Sequence, residues 1–221
     1  MPVPPLYPII DFSCFAAQAD PITAIVRYAE ELISAGATWI QLRDKSQPEQ
    51  PRRFLSCARE LRRIILDRAT LIINDRVDLC LAADADGVHL GQDDLSPAAA
   101  RRIFDSKTFD QVKEKDGKTR IIGFSTHSLS QVIAADALPI DYIAIGPVFV
   151  TGSKANPDPV VGLEGVRQAR RVTKKPLVAI GGITRLNCSQ VKDSGADAVA
   201  VISDLLESPA KAVADFLRVL G

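Results

Sequence analysis

Two short apolar runs, Leu71-Ile72-Ile73 and Val88-His89-Leu90, each end in a polar cluster: Asn74-Asp75-Arg76 after the first, Gly91-Gln92-Asp93-Asp94 after the second. Between them, Arg76 to Ala83 is apolar at Val77, Leu79, Cys80 and Leu81 and long enough for a short helix. A buried strand, a crossover helix and a second buried strand form a βαβ unit, whose strands are parallel. Parallel neighbours bring both polar clusters to one sheet edge, where Asp75 and Asp94 meet across one cleft. Two converging carboxylates beside an asparagine suit a hard cation such as Mg²⁺, which commonly holds substrate phosphates. The structural alternative is that Asp75 caps the following helix while Asp93 and Asp94 are solvated turn residues. This stretch alone does not separate the two.

The elements that must position these residues follow from the rest of the chain. The 221 residues are 47% hydrophobic and 24% charged, an ordinary globular composition with material for one core. Lys and Arg together number 27, as do Asp and Glu, so no global charge points to nucleic acid or an anionic membrane. Four cysteines without a CxxC, and only two histidines, predict buried reduced thiols in a cytoplasmic protein rather than a zinc site. The first twenty residues lack the pattern of a signal peptide, and no apolar run reaches membrane-spanning length.

Leu6 to Ile10 reads as a first strand, and Asp20-Pro21 starts a helix that stops at Gly36. Thr38 to Leu42 is a second strand and Gln50 to Asp67 a second amphipathic helix. After the opening βαβ unit, Ser96-Pro97 starts a helix to about Phe104, and Asp105 to Arg120 is a polar surface excursion. Further strands span 121–124, 142–145, 176–180 and 198–202, alternating with helices through Val132 and over 163–173, 187–194 and 208–220. A weak internal repeat supports this count. The even strands are each preceded by a short segment of one kind, Ala35-Gly36-Ala37-Thr38, Ala83-Asp84-Ala85-Asp86, Leu138-Pro139-Ile140-Asp141 and Ser194-Gly195-Ala196-Asp197. Eight alternating β and α elements predict a single-domain α/β protein, a (β/α)8 or TIM barrel over residues 1–221. An open doubly wound sheet is the alternative, weakened by the absence of a dinucleotide fingerprint.

In such a barrel the strands' carboxyl ends line one mouth. That mouth would receive Gln41, Arg43 and Lys45, then Asn74, Asp75 and Arg76, then Gln92, Asp93 and Asp94. Later strands add Ser125, then Thr151, Ser153 and Lys154, then Gly181-Gly182, then Ser203. Cations, paired carboxylates and hydroxyl donors suit a polyphosphate with a divalent metal. Gly181-Gly182 with Ser203 match a barrel phosphate cradle, so two anionic groups are inferred. Each residue also has a plain reading: Arg43 and Lys45 as solvated strand-end charges, Lys154 as a surface lysine, Gly181-Gly182 as a tight turn. His89 reads as a satisfied core histidine and His127 as a helix-start residue. No set of residues indicates covalent catalysis.

The chain resembles the thiamine-phosphate synthase (thiamine-phosphate pyrophosphorylase) family over nearly its whole length. The carriers are Gln41-Leu42-Arg43-Asp44-Lys45, Asn74-Asp75-Arg76-Val77-Asp78, Asp86 to Asp94, Gly123-Phe124-Ser125-Thr126-His127, Gly146 to Phe149 with Thr151-Gly152-Ser153-Lys154, Val161 to Gly165, and Ala179 to Ile183. The resemblance implies a transferase of thiamine biosynthesis that joins hydroxymethylpyrimidine diphosphate to a thiazole phosphate or its carboxylate form. It implies that the run Gln41 to Lys45, including Leu42 and Asp44, holds the pyrimidine diphosphate with Asn74, Ser125 and Lys154. Asp75 and Asp94 would bind Mg²⁺, and Thr151, Gly152, Ser153, Gly182, Ile202 and Ser203 would hold the thiazole phosphate. Arg43, Lys45 and Lys154 would stabilise the leaving diphosphate. Ser153 stands where the family usually has Thr and keeps the hydroxyl. The implied partners are small molecules, with self-association into a homo-oligomer left open. The weighed alternatives are a related barrel that isomerises a thiazole carboxylate phosphate and a regulatory barrel that binds thiazole phosphate.

Overall fold

The computed structural model describes residues 2–47, 50–106, 119–152 and 158–221. Among them eight strands alternate with eight α-helices. The strands are β1 Leu6–Asp11, β2 Trp39–Arg43, β3 Thr70–Asn74, β4 Gly87–Leu90, β5 Ile121–Thr126, β6 Tyr142–Ile145, β7 Leu177–Ile180 and β8 Ala198–Val201. The helices are α1 Pro21–Ser34, α2 Pro51–Ile65, α3 Val77–Ala82, α4 Pro97–Phe104, α5 Leu129–Asp136, α6 Gly162–Val172, α7 Cys188–Asp193 and α8 Pro209–Leu220. Every strand pairs in parallel with the next, and β1 pairs with β8 through Leu6 and Val199, so the sheet closes into a single barrel. That pairing excludes the open-sheet alternative.

Local chemistry sets the boundaries. Asp20 accepts from the Thr23 N–H at 3.2 Å and Pro21 opens α1. Gly36, at φ +108°, turns the chain after α1 where a side chain would be strained. β5 runs two residues beyond the predicted strand, which carries Ser125 into the barrel wall. Short 3-10 turns after β1 (Phe12–Phe15) and β8 (Ser203–Leu205) were not predicted. Residues 107–118 of the expected polar excursion lie outside the described residues. No helix among the described residues is long and apolar enough to cross a membrane.

Two apolar layers sort by the strands' period of two. Ile40, Leu42, Leu71, Ile73, Val88 and Leu90 point outward and pack under the helices. Tyr7, Ile9, Trp39, Ile72, Tyr142 and Val178 fill the barrel interior. Cys57, Cys80 and Cys188 are buried as expected, but Cys14 is exposed. It sits in the 3-10 turn beyond β1, where no layer covers it.

The internal repeat has a physical basis. Asp86, Asp141 and Asp197, each just before an even strand, take the first or second N–H of the preceding odd strand: Leu71 at 2.8 Å, Ile122 at 2.7 Å and Leu177 at 2.8 Å. Each same carboxylate also pairs with an arginine from the helix before that odd strand, Arg62 on α2, Arg101 on α4 and Arg170 on α6. Thr38 takes this place in the first quarter. These clamps lie at the amino ends of the strands, the face that carries stability rather than chemistry.

Candidate active site

A cavity of about 500 Å³ opens at the carboxyl ends of the strands. Gln41, Arg43, Lys45, Asn74, Asp75, Asp94, Ser125, Thr151, Gly182, Ile202 and Ser203, all expected at the mouth, line it. Leu42 does not: alternation along β2 turns it outward into the layer under the helices. The Asp44 side chain is also directed away, pairing with Arg53 of α2 at 2.5 Å and accepting from Ser46. Arg76 pairs with Asp78 at 2.5 Å instead of joining the mouth. Gly152 is exposed beside the cavity rather than lining it. Ser153 and Lys154 lie outside the described residues.

The two carboxylates of the opening βαβ unit meet. Asp75 follows β3 with φ +63°, a left-handed backbone that few non-glycine residues adopt. Its N–H donates to the His89 carbonyl at 2.7 Å, tying the end of β3 to β4. Asp94 reaches back to the Gly91 N–H at 2.7 Å, which fixes the turn after β4 and presents the carboxyl to Asp75. Desolvation, then the Asp94 carboxyl, push the Asp75 pKa up to about 6. Lys45, 2.5 Å away, opposes that rise. Asp75 does not cap α3, whose N-cap is Arg76 without a side-chain cap bond.

Arg43 is held by Asp11, its register partner at the end of β1, in a nearly buried ion pair. Asp11 also accepts from the N–H and hydroxyl of Ser13, at 2.9 and 2.7 Å. Asp11 was not among the expected site residues. The signal was available, because Asp11 is the strand-end acid of β1 and the strand-end rule covers it.

On the opposite side, the loop after β6 and the turn after β7 are laced together. The Val148 N–H donates to Ile180 O at 2.9 Å and the Phe149 N–H to Gly181 O at 3.0 Å. Gly182 has φ +64°, and a Cβ there would lie 2.5 Å from the Val150 carbonyl oxygen. Glycine is therefore required for this close approach. Gly182, Ile202 and Ser203 bring backbone groups and a hydroxyl to one end of the cavity.

The cavity floor is polar and connected. Gln41 Nε2 donates to the Tyr7 hydroxyl at 2.9 Å, which lies 3.0 Å from the Tyr142 hydroxyl. The Tyr142 hydroxyl is 2.8 Å from His89 Nδ1, and His89 Nε2 is 2.8 Å from Ser125 Oγ. His89 is thus a satisfied interior histidine, yet it also touches a residue of the cavity wall. His127 sits between β5 and α5, its Nδ1 donating to Gly146 O at 2.7 Å. Gln92 secures the end of β5 by donating to Ser125 O at 2.6 Å.

Residues 12–205 match the family described as thiamine monophosphate synthase. The chain is 47% identical over 218 residues to a thiamine-phosphate synthase of Koribacter versatilis, covering 99% of this chain and 96% of that one. It is 40% identical over 185 residues to a thiamine-phosphate synthase of Methanospirillum hungatei, covering 83% of each. Its structure is similar to that of a thiamine phosphate pyrophosphorylase from Pyrococcus furiosus, with a TM-score of 0.79 and 32% identity over 98% of this chain and 95% of the other.

Proposed function

The chain belongs to the thiamine monophosphate synthase family, and on that premise we propose how its barrel mouth makes thiamine phosphate. The carbon–oxygen bond of hydroxymethylpyrimidine diphosphate breaks, its electron pair leaving with diphosphate. The electron-rich pyrimidine stabilises the resulting methylene cation, and the thiazole nitrogen supplies the pair for the new carbon–nitrogen bond. No strong base is needed.

We assign Gln41, Asn74 and Ser125 to the pyrimidine diphosphate, with Arg43, Lys45 and Lys154 countering the charge that builds on the leaving group. Asp11 positions Arg43. Thr151, Gly152, Ser153, Gly182, Ile202 and Ser203 hold the thiazole phosphate and align the nitrogen with the cation. Asp75 and Asp94 fit a hard divalent cation such as Mg²⁺: two carboxyls meet in a partly desolvated place where one is pushed toward its protonated form. When bound there, Mg²⁺ would neutralise diphosphate charge. The family resemblance attaches Leu42 and Asp44 to substrate as well; their side chains point elsewhere, so only their backbone is available for that. The cytoplasm, with its reduced thiols, is the compartment we assign.

One observation carries this reading: the carboxylate pair, Arg43 and Lys45 share a single cavity with the Gly182–Ser203 end. The test is diphosphate release from hydroxymethylpyrimidine diphosphate with Mg²⁺, with and without thiazole phosphate. Release coupled to thiamine phosphate formation, blocked by chelator and lowered at least ~100-fold by Asp94→Ala, is expected. Binding of thiazole phosphate without any release would overturn it in favour of an isomerase or a sensor.

A further inference from the structure

We propose that the buried chain Gln41–Tyr7–Tyr142–His89–Ser125 is a positioning device that holds His89 as its Nε2–H tautomer and turns the Ser125 hydroxyl hydrogen into the cavity, toward an anionic oxygen of the diphosphate substrate. It deepens the function proposed above and rests on that reading for the identity of the anion.

The direction follows from counting hydrogens. Gln41 Nε2 can only donate, so the Tyr7 oxygen accepts and the single Tyr7 hydrogen goes to the Tyr142 oxygen. The Tyr142 hydrogen then goes to His89 Nδ1. A ring nitrogen that accepts carries no hydrogen, so the neutral imidazole has its hydrogen on Nε2 and donates it to Ser125 Oγ. With that oxygen accepting from inside the wall, the hydroxyl's own hydrogen is left for the cavity that Ser125 lines. The reverse order, begun by Gln41 Oε1 accepting from Tyr7, would put the ring hydrogen on Nδ1 and aim a lone pair of Ser125 at the anion.

The surroundings keep the chain in place. Burial raises the pKa of both phenols, so each keeps the hydrogen it must pass on. Gly123 leaves the space that the Tyr142 ring crosses, since a Cβ there would lie 2.0 Å from Tyr142 Cζ. Trp39 packs edge-on against both phenols, at 5.5 and 5.8 Å between centroids, and His89 stacks on Tyr142 at 5.5 Å. Locked rotors of this kind are what hold a contacting group in a productive orientation.

With only two histidines in the chain, ¹⁵N NMR of the intact protein reads the His89 tautomer directly. The expected spectrum, without substrate, has the His89 hydrogen on Nε2 and none on His89 Nδ1, in contrast to His127, whose Nδ1 donates to Gly146 O. Tyr142→Phe removes the donor to Nδ1, so the ring hydrogen should redistribute and kcat/KM for the diphosphate substrate fall about 10-fold. In a Ser125→Ala background the same substitution should change kcat/KM no further. Hydrogen on His89 Nδ1 in the wild type, or additive losses in the double variant, overturns the proposal. The wild-type spectrum decides even if Tyr142→Phe fails to fold. It is also independent of which reaction the cavity performs, so its failure and failure of the function proposal are told apart.

Discussion

Asp75 combines three features that are each unfavourable in an isolated protein: a left-handed backbone, a mostly buried carboxyl, and a second carboxylate as neighbour. A cation between the two carboxyls would offset the last two. The linkage has a definite sign. Unfolded, Asp75 has released its proton by about pH 4; folded, it keeps the proton until about pH 6. The folded state thus binds more protons in that window, and the metal-free protein loses stability as pH rises from about 4 to about 6, by at most ~3 kcal/mol from this residue. Urea melts in chelator across that range should show the decline in the wild type and a flatter profile in Asp75→Asn; identical profiles would remove the group from the account. At this scale the mouth was largely legible. Asn74, Asp75, Asp94, Arg43 and Lys45 stand at or just past strand ends, and the strand-end rule needs nothing else. The family resemblance also attached Leu42 and Asp44 to the substrate, but the adjacent residue of a strand faces the other layer and a long-range partner, here Arg53, can claim a strand-end acid.

The loops after β6 and β7 act as one piece, laced by the Val148 and Phe149 N–H bonds. A side chain on Gly182 must displace the Val150 carbonyl and violate a left-handed backbone, so the disturbance spreads into the loop that bears Thr151. Gly182→Ala should cost about 1–3 kcal/mol of stability and raise KM for thiazole phosphate at least ~10-fold, with a smaller effect on KM for the pyrimidine diphosphate. Calorimetry and steady-state kinetics check both, and equal effects on the two KM values would refute the split of the cavity into two anion sites. The elements themselves were legible to within a residue or two from apolar periodicity, caps and Gly36. The quarter repeat was half legible: Asp86, Asp141 and Asp197 showed as a pattern, whereas Arg62, Arg101 and Arg170 lie 24, 40 and 27 residues away and are joined to them only by the fold. The 3-10 turns escaped because four and three residues carry too little periodicity to read.

At the scale of the whole molecule, closure through β1 and β8 is what gathers these groups. Among the described residues, the groups proposed to meet diphosphate come from the ends of β2, β3, β4 and β5, and none of these βαβ units holds more than part of the set. Formal net charge is zero, so no long-range field concentrates an anion, and affinity must come from the local cations and from a bound metal. Diphosphate and Mg²⁺ should therefore stabilise the fold together far more than either alone. At a hundred times the joint dissociation constant the gain is about 2.7 kcal/mol. For a chain of this size that corresponds to a Tm rise of roughly 5–10 °C. Chelator, or Asp94→Asn, should abolish most of the rise, while Arg43 and Lys45 retain a small metal-independent remainder. An isomerase or sensor of thiazole phosphate has no reason to show this coupling. If diphosphate raised Tm equally with and without chelator, Asp75 and Asp94 would not be metal ligands, and the charge of the leaving group would have to be met by Arg43, Lys45 and Lys154 alone.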